Sequence, residues 1–313
     1  MAVYTTLTES EICDLLSHFD LPELAAFEGA RSGVENTTYF LSLESGARYV
    51  LTVFEHFPPQ SLPPYITLTT LLHQCQLPVP CPLTDRSGNA LHTIAGKPAL
   101  LFERAPGRHI DLIDPAICRQ VGETLARIHL AAPKPELLSF AASCGLAWMK
   151  ETLALVKQSL DKNDVILLEQ QIDLSSELLT RSLPRGIIHG DLFRDNVLVQ
   201  NHAVTAVIDF YNASPDIFLI DLAIAANDWC FTPTDLSDDR ASALLGGYQA
   251  IRPLSDSEQR SWQDCLQVAA ARLWLSRQKR LLNTQQRSGS VTKNPAEYRS
   301  LLIYHLEGTK LHQ

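Results

Sequence analysis

The sequence predicts an α+β protein in two lobes, and three observations carry that prediction. A chain of 313 residues is longer than the about 250–300 residues at which a single core stops growing. Strand-like runs cluster before residue 105, and helical periodicities dominate after it. Between them, Ala105-Pro106-Gly107 breaks the pattern and marks the junction.

The N-terminal part opens with Thr8 and, three residues later, Glu11, a capping box ahead of Ile12, Leu15 and Leu16 that predicts a helix over 9–18. Thr37 to Leu43 and Arg48 to Phe54 read as two strands of a hairpin, joined by Glu44-Ser45-Gly46-Ala47. Just before them, Arg31-Ser32-Gly33-Val34-Glu35-Asn36 is small and polar enough for its backbone N–H groups to approach phosphates. Four prolines in 56–64 predict a loop, and Tyr65 to Gln76 a helix stopped by Pro78, Pro80 and Pro82. Ala99 to Phe102 is a short apolar strand.

Past the junction, Pro115 opens a helix that carries Ile117, Val121, Leu125 and Ile128 on one face and ends near Leu130. Helical patterns follow over 146–160 and 164–181, and a late apolar helix covers Cys265 to Leu281. Val197 to Val199 and Val204 to Ile208 are two short strands around Gln200-Asn201-His202-Ala203.

Composition narrows the function classes. With 45% apolar and 19% charged residues this is an ordinary globular chain. Its net charge of −9, with no basic run interleaved with aromatics, speaks against nucleic acid as a partner. Seven scattered Cys, an odd number without C-x-x-C or metal-ligand spacing, suit small buried residues in a reducing compartment. The start MAVYTTLTESEICDLL lacks the features of a secretory signal, and no apolar run reaches the roughly 20 residues of a membrane span. A cytoplasmic enzyme away from membranes is the expectation.

The chemistry concentrates in His189-Gly190-Asp191-Leu192-Phe193-Arg194-Asp195-Asn196 and the later Asp209-Phe210. Ile187-Ile188 anchors the start of this loop, and Gly190 allows a tight backbone path beside Asp191. The hairpin over 197–208 carries Asn196 and Asp209 to neighbouring ends. A hydroxyl that attacks the γ-phosphate of ATP gains from a carboxylate that orients it and takes its proton, the role expected of Asp191. Mg²⁺ takes hard oxygen ligands with only one or two carboxylates, which suits Asn196 and Asp209.

The Asp191-x4-Asn196 spacing, a following strand and Asp209-Phe210 resemble the catalytic and magnesium loops of protein kinases. His-Gly-Asp in place of His-Arg-Asp is similar to the aminoglycoside phosphotransferase and choline kinase branch. Gly33-Val34-Glu35-Asn36, Tyr49 to Glu55, Ile208-Asp209-Phe210-Tyr211, Asp221-Leu222-Ala223-Ile224 and Trp229-Cys230-Phe231 resemble the homoserine kinases of that branch, as do MAVYT and Lys293-Asn294-Pro295-x-Glu297-Tyr298.

The resemblance implies a protein-kinase-like bilobal fold, with residues 1–104 as a nucleotide-binding lobe, 105–313 as a catalytic and substrate lobe, and ATP between them. It implies ATP and Mg²⁺ as cofactors and L-homoserine as the small-molecule substrate. Gly33, Val34, Asn36 and Thr52 would then serve the nucleotide, and backbone at Phe102, Glu103 and Arg104 its adenine. His189 and Asp221 would be structural, Asp221 capping a helix start and bracing the loop.

One part of the kinase pattern is missing. The third-strand Lys that holds phosphates is replaced by Thr52, no Lys precedes Lys97, and the helix over 67–76 holds no acidic partner. Backbone N–H groups of the Gly33 loop, or Arg31, are candidates to meet the charge deficit. For a zwitterionic amino acid, Asp216, Asp228 and Trp229, with Arg272 and Arg277 on the late helix, are the candidate contacts. Two alternatives stand beside this reading: a kinase of another small hydroxyl compound, such as an aminoglycoside or amino alcohol, and a nucleotide-binding pseudokinase.

Overall fold

The computed structural model describes residues 3–30, 36–140, 144–231, 236–285 and 294–310. The chain divides into two compact units, Met1–Pro106 and Gly107–Gln313.

The first unit is built on a five-stranded antiparallel sheet in the order β1-β2-β3-β5-β4. Its strands are β1 (Leu24–Gly29), β2 (Thr37–Leu43), β3 (Arg48–Val53), β4 (His92–Ile94) and β5 (Lys97–Glu103). Helix α1 (Glu9–Leu16) carries the expected capping box, Thr8 Oγ1 accepting from Glu11 N–H while Glu11 accepts from Thr8 N–H. It ends two residues earlier than the periodicity suggested, in a turn where Ser17 Oγ donates to Asp14 O. The 48–54 run yields Val53 as its last strand residue, and Ala99–Phe102 extends to Lys97–Glu103. Strand β1 went unread because Leu-Ala-Ala-Phe-Glu-Gly has no β-branched residue and no clean alternation.

Alternation along these strands sorts the side chains into two faces. Tyr39, Leu41 and Leu43, Tyr49, Leu51 and Val53, and Ala99 and Leu101 point to one side, where they form a core with Ile12, Leu15, Leu16 and Phe19. The register Thr38↔Thr52↔Leu100 and Phe40↔Val50↔Phe102 defines the other face. Helix α2 (Pro63–Gln74) begins inside the stretch expected as loop, because Pro63 and Pro64 occupy its first turn, where a missing N–H costs nothing.

The second unit is mostly helical: α3 (Pro115–Ala131), α4 (Leu146–Val156), α5 (Lys162–Thr180), α6 (Phe218–Trp229), α7 (Asp238–Ile251), α8 (Asp256–Gln285) and α9 (Ala296–Lys310). The 146–160 pattern divides, since 157–159 tighten into a 3₁₀ turn after α4, and the late helix starts at Asp256, nine residues before the apolar stretch that announced it. Asp114 caps α3 by accepting from Ile117 N–H at 2.8 Å. Helices α3 and α7 touch backbone to backbone: a Cβ on Gly122 would lie 2.1 Å from Leu244 O, and one on Gly247 2.1 Å from Arg119 O.

Two small strand pairs sit among these helices. β6 (Arg185–Ile188) pairs antiparallel with β9 (Ser214–Ile217), with Ile188 opposite Ser214 and Gly186 opposite Asp216. β7 (Val197–Gln200) pairs with β8 (Ala203–Val207) through a two-residue turn in which Asn201 and His202 both have positive φ, the geometry that follows the twist of a hairpin.

Candidate active site

The segment His189–Asn196 leaves β6 and is anchored to helix α6. Asp221 on α6 is fully buried, and its carboxylate accepts from His189 N–H at 2.7 Å and from Gly190 N–H at 2.8 Å. Seven residues on, two helical turns along the same face, Asp228 Oδ2 accepts from Arg194 N–H at 2.8 Å and from Arg194 Nε at 3.1 Å. Next to it, Trp229 Nε1–H donates to Leu192 O at 3.0 Å.

His189 locks the loop from within. Its Nε2 bonds Ile208 O at 3.0 Å, so that nitrogen carries the proton, and Nδ1 accepts from Asp191 N–H at 3.2 Å. The ring packs on Phe210 at 4.5 Å. Burial holds the imidazole pKa below its usual range, which agrees with this neutral tautomer. Gly190 has φ +78°, and a Cβ there would meet Asn212 O at 2.8 Å, so only glycine fits.

His129 on α3 adds a third donor to Asp221, its Nε2 lying 2.9 Å from Oδ2, while its Nδ1 sits 2.7 Å from Tyr248 Oη. Burial pushes the His129 pKa down, so the ring is neutral, donates to Asp221 and accepts from the tyrosine hydroxyl. Burial alone would raise the Asp221 pKa, but the donors outweigh it and the carboxyl is held below its usual value.

Of the three chemistry-bearing residues, Asn196 and Asp191 touch through their side chains, and a backbone bond brings the chain just before Asp209 to Asn196. Asn196 Nδ2 donates to Asp191 O at 2.7 Å and to Asp191 Oδ2 at 3.2 Å. Asp209 follows Ile208, whose N–H donates to Asn196 O at 2.9 Å. Asp209 is left-handed, with φ 66° and ψ 58°, a conformation a non-glycine residue adopts at a cost. Asn212, in the 3₁₀ turn just after it, reaches Asp191 Oδ2 at 3.5 Å.

This donor set fits a hard divalent cation. Because the amide nitrogen of Asn196 is spent on Asp191, its orientation is fixed and Oδ1 is the oxygen it could offer a metal; Asp209, one residue past the Ile208 N–H that binds Asn196 O, is the second hard-oxygen candidate.

The remaining predicted residues separate clearly. Asp228 and Trp229 are engaged by the loop: Trp229 is fully buried with its N–H on Leu192 O, and Asp228 accepts from the Arg194 backbone N–H. Asp221 spends its carboxylate on the loop's N–H groups and caps none of its own helix N–H groups. Arg277 is spent on Glu297 and on Asn294 O, with its guanidinium 3.9 Å over the Tyr298 ring. Asp216 and Arg272 meet each other, Arg272 Nη1 donating to Asp216 Oδ2 at 2.6 Å, each side chain 6% exposed. They line a small pocket with Cys144, Ile188, Gly190, Asn212, Ser214 and Ile224.

In the first unit, Thr52 and Phe102 fall on the same sheet face, opposite the α1 core. Arg104 is exposed, its guanidinium 4.4 Å over the Phe40 ring, and Glu103 is exposed beside it. Asn36 Oδ1 is buried with no hydrogen-bond partner among the described residues. Gly33, Val34 and Arg31 lie outside the described residues. Lys97 sits on the α1 side with Ala99 and Leu101, where it bonds the Glu55 carboxylate and Thr5 Oγ1; it does not share the face of Thr52.

Sequence reasoning missed His129, Tyr248 and Asn212. His129 had a visible signal, a polar residue directly after Ile128 on the apolar stripe of α3. Tyr248, 119 residues away, had none.

A strand-rich unit followed by a helical one, with Asp-x4-Asn on a loop and Asp-Phe after a hairpin, defines an ATP-dependent small-molecule phosphotransferase of the kinase-like class. The model of the phosphotransferase enzyme family, APH, matches residues 26–254, and the chain belongs to that family. It is 40% identical over 311 residues to a homoserine kinase from Methylobacillus flagellatus, covering 98% of this chain and 96% of that protein. A homoserine kinase from Pseudomonas aeruginosa is 41% identical over 280 residues, 88% of each chain. Among solved structures, the amicoumacin kinase hAmiN, in complex with AMP-PNP, Ca²⁺ and Ami, superposes with a TM-score of 0.71 at 18% identity, over 96% of this chain and 93% of that one. A microcompartment-associated aminopropanol kinase gives 0.67 at 17% identity, over 96% and 94%. At these identities the two structures speak to the fold.

Proposed function

We propose that this protein is an ATP- and Mg²⁺-dependent homoserine kinase that phosphorylates the side-chain hydroxyl of L-homoserine to O-phospho-L-homoserine, a step toward threonine. The observation that carries the substrate is the near-full-length similarity, about two residues in five, to proteins named homoserine kinase. The chemistry is assigned to Asp191, with Asn196 and Asp209 as the metal-binding residues.

In this reading the Asp191 carboxylate accepts a hydrogen bond from the substrate hydroxyl and takes its proton as the oxygen forms a bond to the γ-phosphorus. The bond from that phosphorus to the β–γ bridging oxygen breaks, and ADP leaves. Asn196 Nδ2 steadies Asp191 at 3.2 Å. Asn196 Oδ1 and the Asp209 carboxylate would hold Mg²⁺, which neutralises charge on the phosphates. We assign nucleotide recognition to residues 1–104, drawing on Gly33, Val34, Asn36, Thr52 and the backbone of Phe102 to Arg104. Catalysis and acceptor binding fall to residues 105–313. The seven free thiols suit the cytoplasm.

The test is coupled ADP release with purified protein, Mg-ATP and a panel of L-homoserine, choline, 3-aminopropan-1-ol and kanamycin. L-Homoserine is expected to give the highest kcat/KM. Turnover of another alcohol with none of L-homoserine would overturn the assignment, and no turnover of any would favour a nucleotide-binding protein without catalysis.

A further inference from the structure

Besides the catalytic loop, the second unit holds one pocket whose lining is unusual for a protein interior. Asp216 and Arg272 are both nearly inaccessible, yet they line it together with Gly190 and Asn212. Arg272 uses Nη1 on Asp216, while its Nε is buried with no hydrogen-bond partner among the described residues. Asp216 Oδ1 accepts from the neighbouring Ile217 N–H, and Oδ2 from Arg272, which leaves lone pairs on both oxygens. A buried guanidinium with an unused donor is costly, and native structures rarely keep one without a use.

We propose that Asp216 and Arg272 are the specificity-determining pair for the acceptor, a clamp for the zwitterionic head of an α-amino acid. Arg272 takes the substrate carboxylate and Asp216 its ammonium. This deepens the functional reading above and rests on it.

The placement supports the assignment. Gly190 precedes Asp191, and Asn212 donates to Asp191 Oδ2 at 3.5 Å, so the pocket wall and the proton acceptor share two residues. Asp216 lies one pleat repeat, about 7 Å, beyond Ser214 on the same face of β9, and Ser214 is opposite Ile188 just before the loop. A four-carbon amino alcohol acid, held at its charged end by the pair, would direct its hydroxyl toward Asp191. Recognition also has a chemical logic. Fork-shaped guanidinium suits a carboxylate, and an acceptor-only carboxylate suits an ammonium. An amine without a carboxylate would leave Arg272 unmatched, and a hydroxy acid without an ammonium would leave Asp216 unmatched.

The experiment crosses variants with truncated substrates. L-Homoserine, 3-aminopropan-1-ol (no carboxylate) and 4-hydroxybutanoate (no ammonium) are assayed with wild type, Arg272→Gln and Asp216→Asn. Wild type is expected to prefer L-homoserine by roughly a thousandfold in kcat/KM. Arg272→Gln should lose about a hundredfold on L-homoserine, mostly in KM, while staying within about threefold on 3-aminopropan-1-ol. Asp216→Asn should behave the same way relative to 4-hydroxybutanoate. Because either single change strands a buried charge and can unfold the protein, the charge-free double variant Asp216→Leu/Arg272→Met is included. It should fold by circular dichroism and lose the preference for L-homoserine.

An equal loss on all three substrates in every variant, or an unchanged KM for L-homoserine in the folded double variant, would overturn the clamp. Failure of the functional reading has a different signature, wild type inactive on L-homoserine. In that case calorimetry with L-serine, L-threonine and L-aspartate decides: binding that the double variant loses upholds the clamp, and absence of binding to wild type overturns it.

Discussion

The carboxylate of Asp221 and the imidazole of His129 meet at 2.9 Å with neither side chain exposed to solvent. That contact ties the catalytic loop to α3, because the same carboxylate accepts the N–H groups of His189 and Gly190. Asp221→Asn would offer a single oxygen to three donors and turn an NH₂ toward one of them. We expect a loss of about 2–4 kcal/mol in stability and a fall in kcat beyond that loss. Urea unfolding measured beside steady-state kinetics checks both, and an unaltered midpoint would deny Asp221 its bracing role.

The division of labour at the site gives a paired prediction. Asp191→Asn should lower kcat by roughly 10²–10⁴ while nucleotide affinity stays close to wild type. Asp209→Ala should instead abolish Mg²⁺-dependent nucleotide binding. Titration calorimetry with a non-hydrolysable ATP analogue separates the two, and a similar nucleotide affinity in both variants would contradict the roles.

Gly190→Ala tests the loop without touching a reacting group. The new methyl would press to 2.8 Å on Asn212 O from a backbone with φ +78°. The protein should fold with reduced stability and lose most of its turnover. Wild-type kcat in this variant would mean that the loop has room to rearrange.

Acid should destabilise the fold early. Buried His305 hydrogen-bonds Asn227 Oδ1 at 2.8 Å, and burial lowers its pKa from the usual 6.5 to about 4. A histidine whose folded pKa lies below its unfolded one takes up its proton more readily unfolded, so stability is intact above about pH 6.5 and falls as pH drops toward 4. This group alone contributes roughly 3 kcal/mol to the decline across that window. His129 and His189 are lowered as well and act in the same direction. Asp221, held below its usual value, adds its loss only at still lower pH. Denaturation at pH 7.5, 6 and 5 should show this slope, and His305→Gln should flatten it.

Lys97 offers the opposite kind of test. Its ammonium is committed to Glu55, a carboxylate also held by Thr37 and Thr5. Lys97→Met should lower stability by leaving Glu55 short of its partner, with KM for ATP unchanged within about twofold. A tenfold rise in that KM would make Lys97 a phosphate ligand after all.

Much of this was legible in the chain. The hairpin around Gly46, the capping box at Thr8 and the Pro115 helix start are local patterns, and local physics decides them. The contact of Asn196 with Asp191 was legible for a related reason: they are five residues apart on one short loop, so spacing constrains their geometry. The functions of Asp228 and Trp229 were not. Every residue of α6 from Leu219 to Trp229 is buried, so no polar stripe tells which of its sides meets the loop. Nor could spacing reveal that Asp216 and Arg272, 56 residues apart, would meet. Strand β9, which carries Asp216, is only Ser-Pro-Asp-Ile and gives no strand signal of its own.

The anchoring of His189, Gly190 and Arg194 to carboxylates on α6 has a consequence for motion. Loops at functional sites are usually among the first parts of a protein to open, and their amide protons exchange quickly with water. Here three such protons are fastened to a helix buried along nearly its whole length, so they should exchange only when its unit opens as a whole. Whatever rearrangement accompanies turnover must then be sought in other segments, with this loop as the fixed frame of reference.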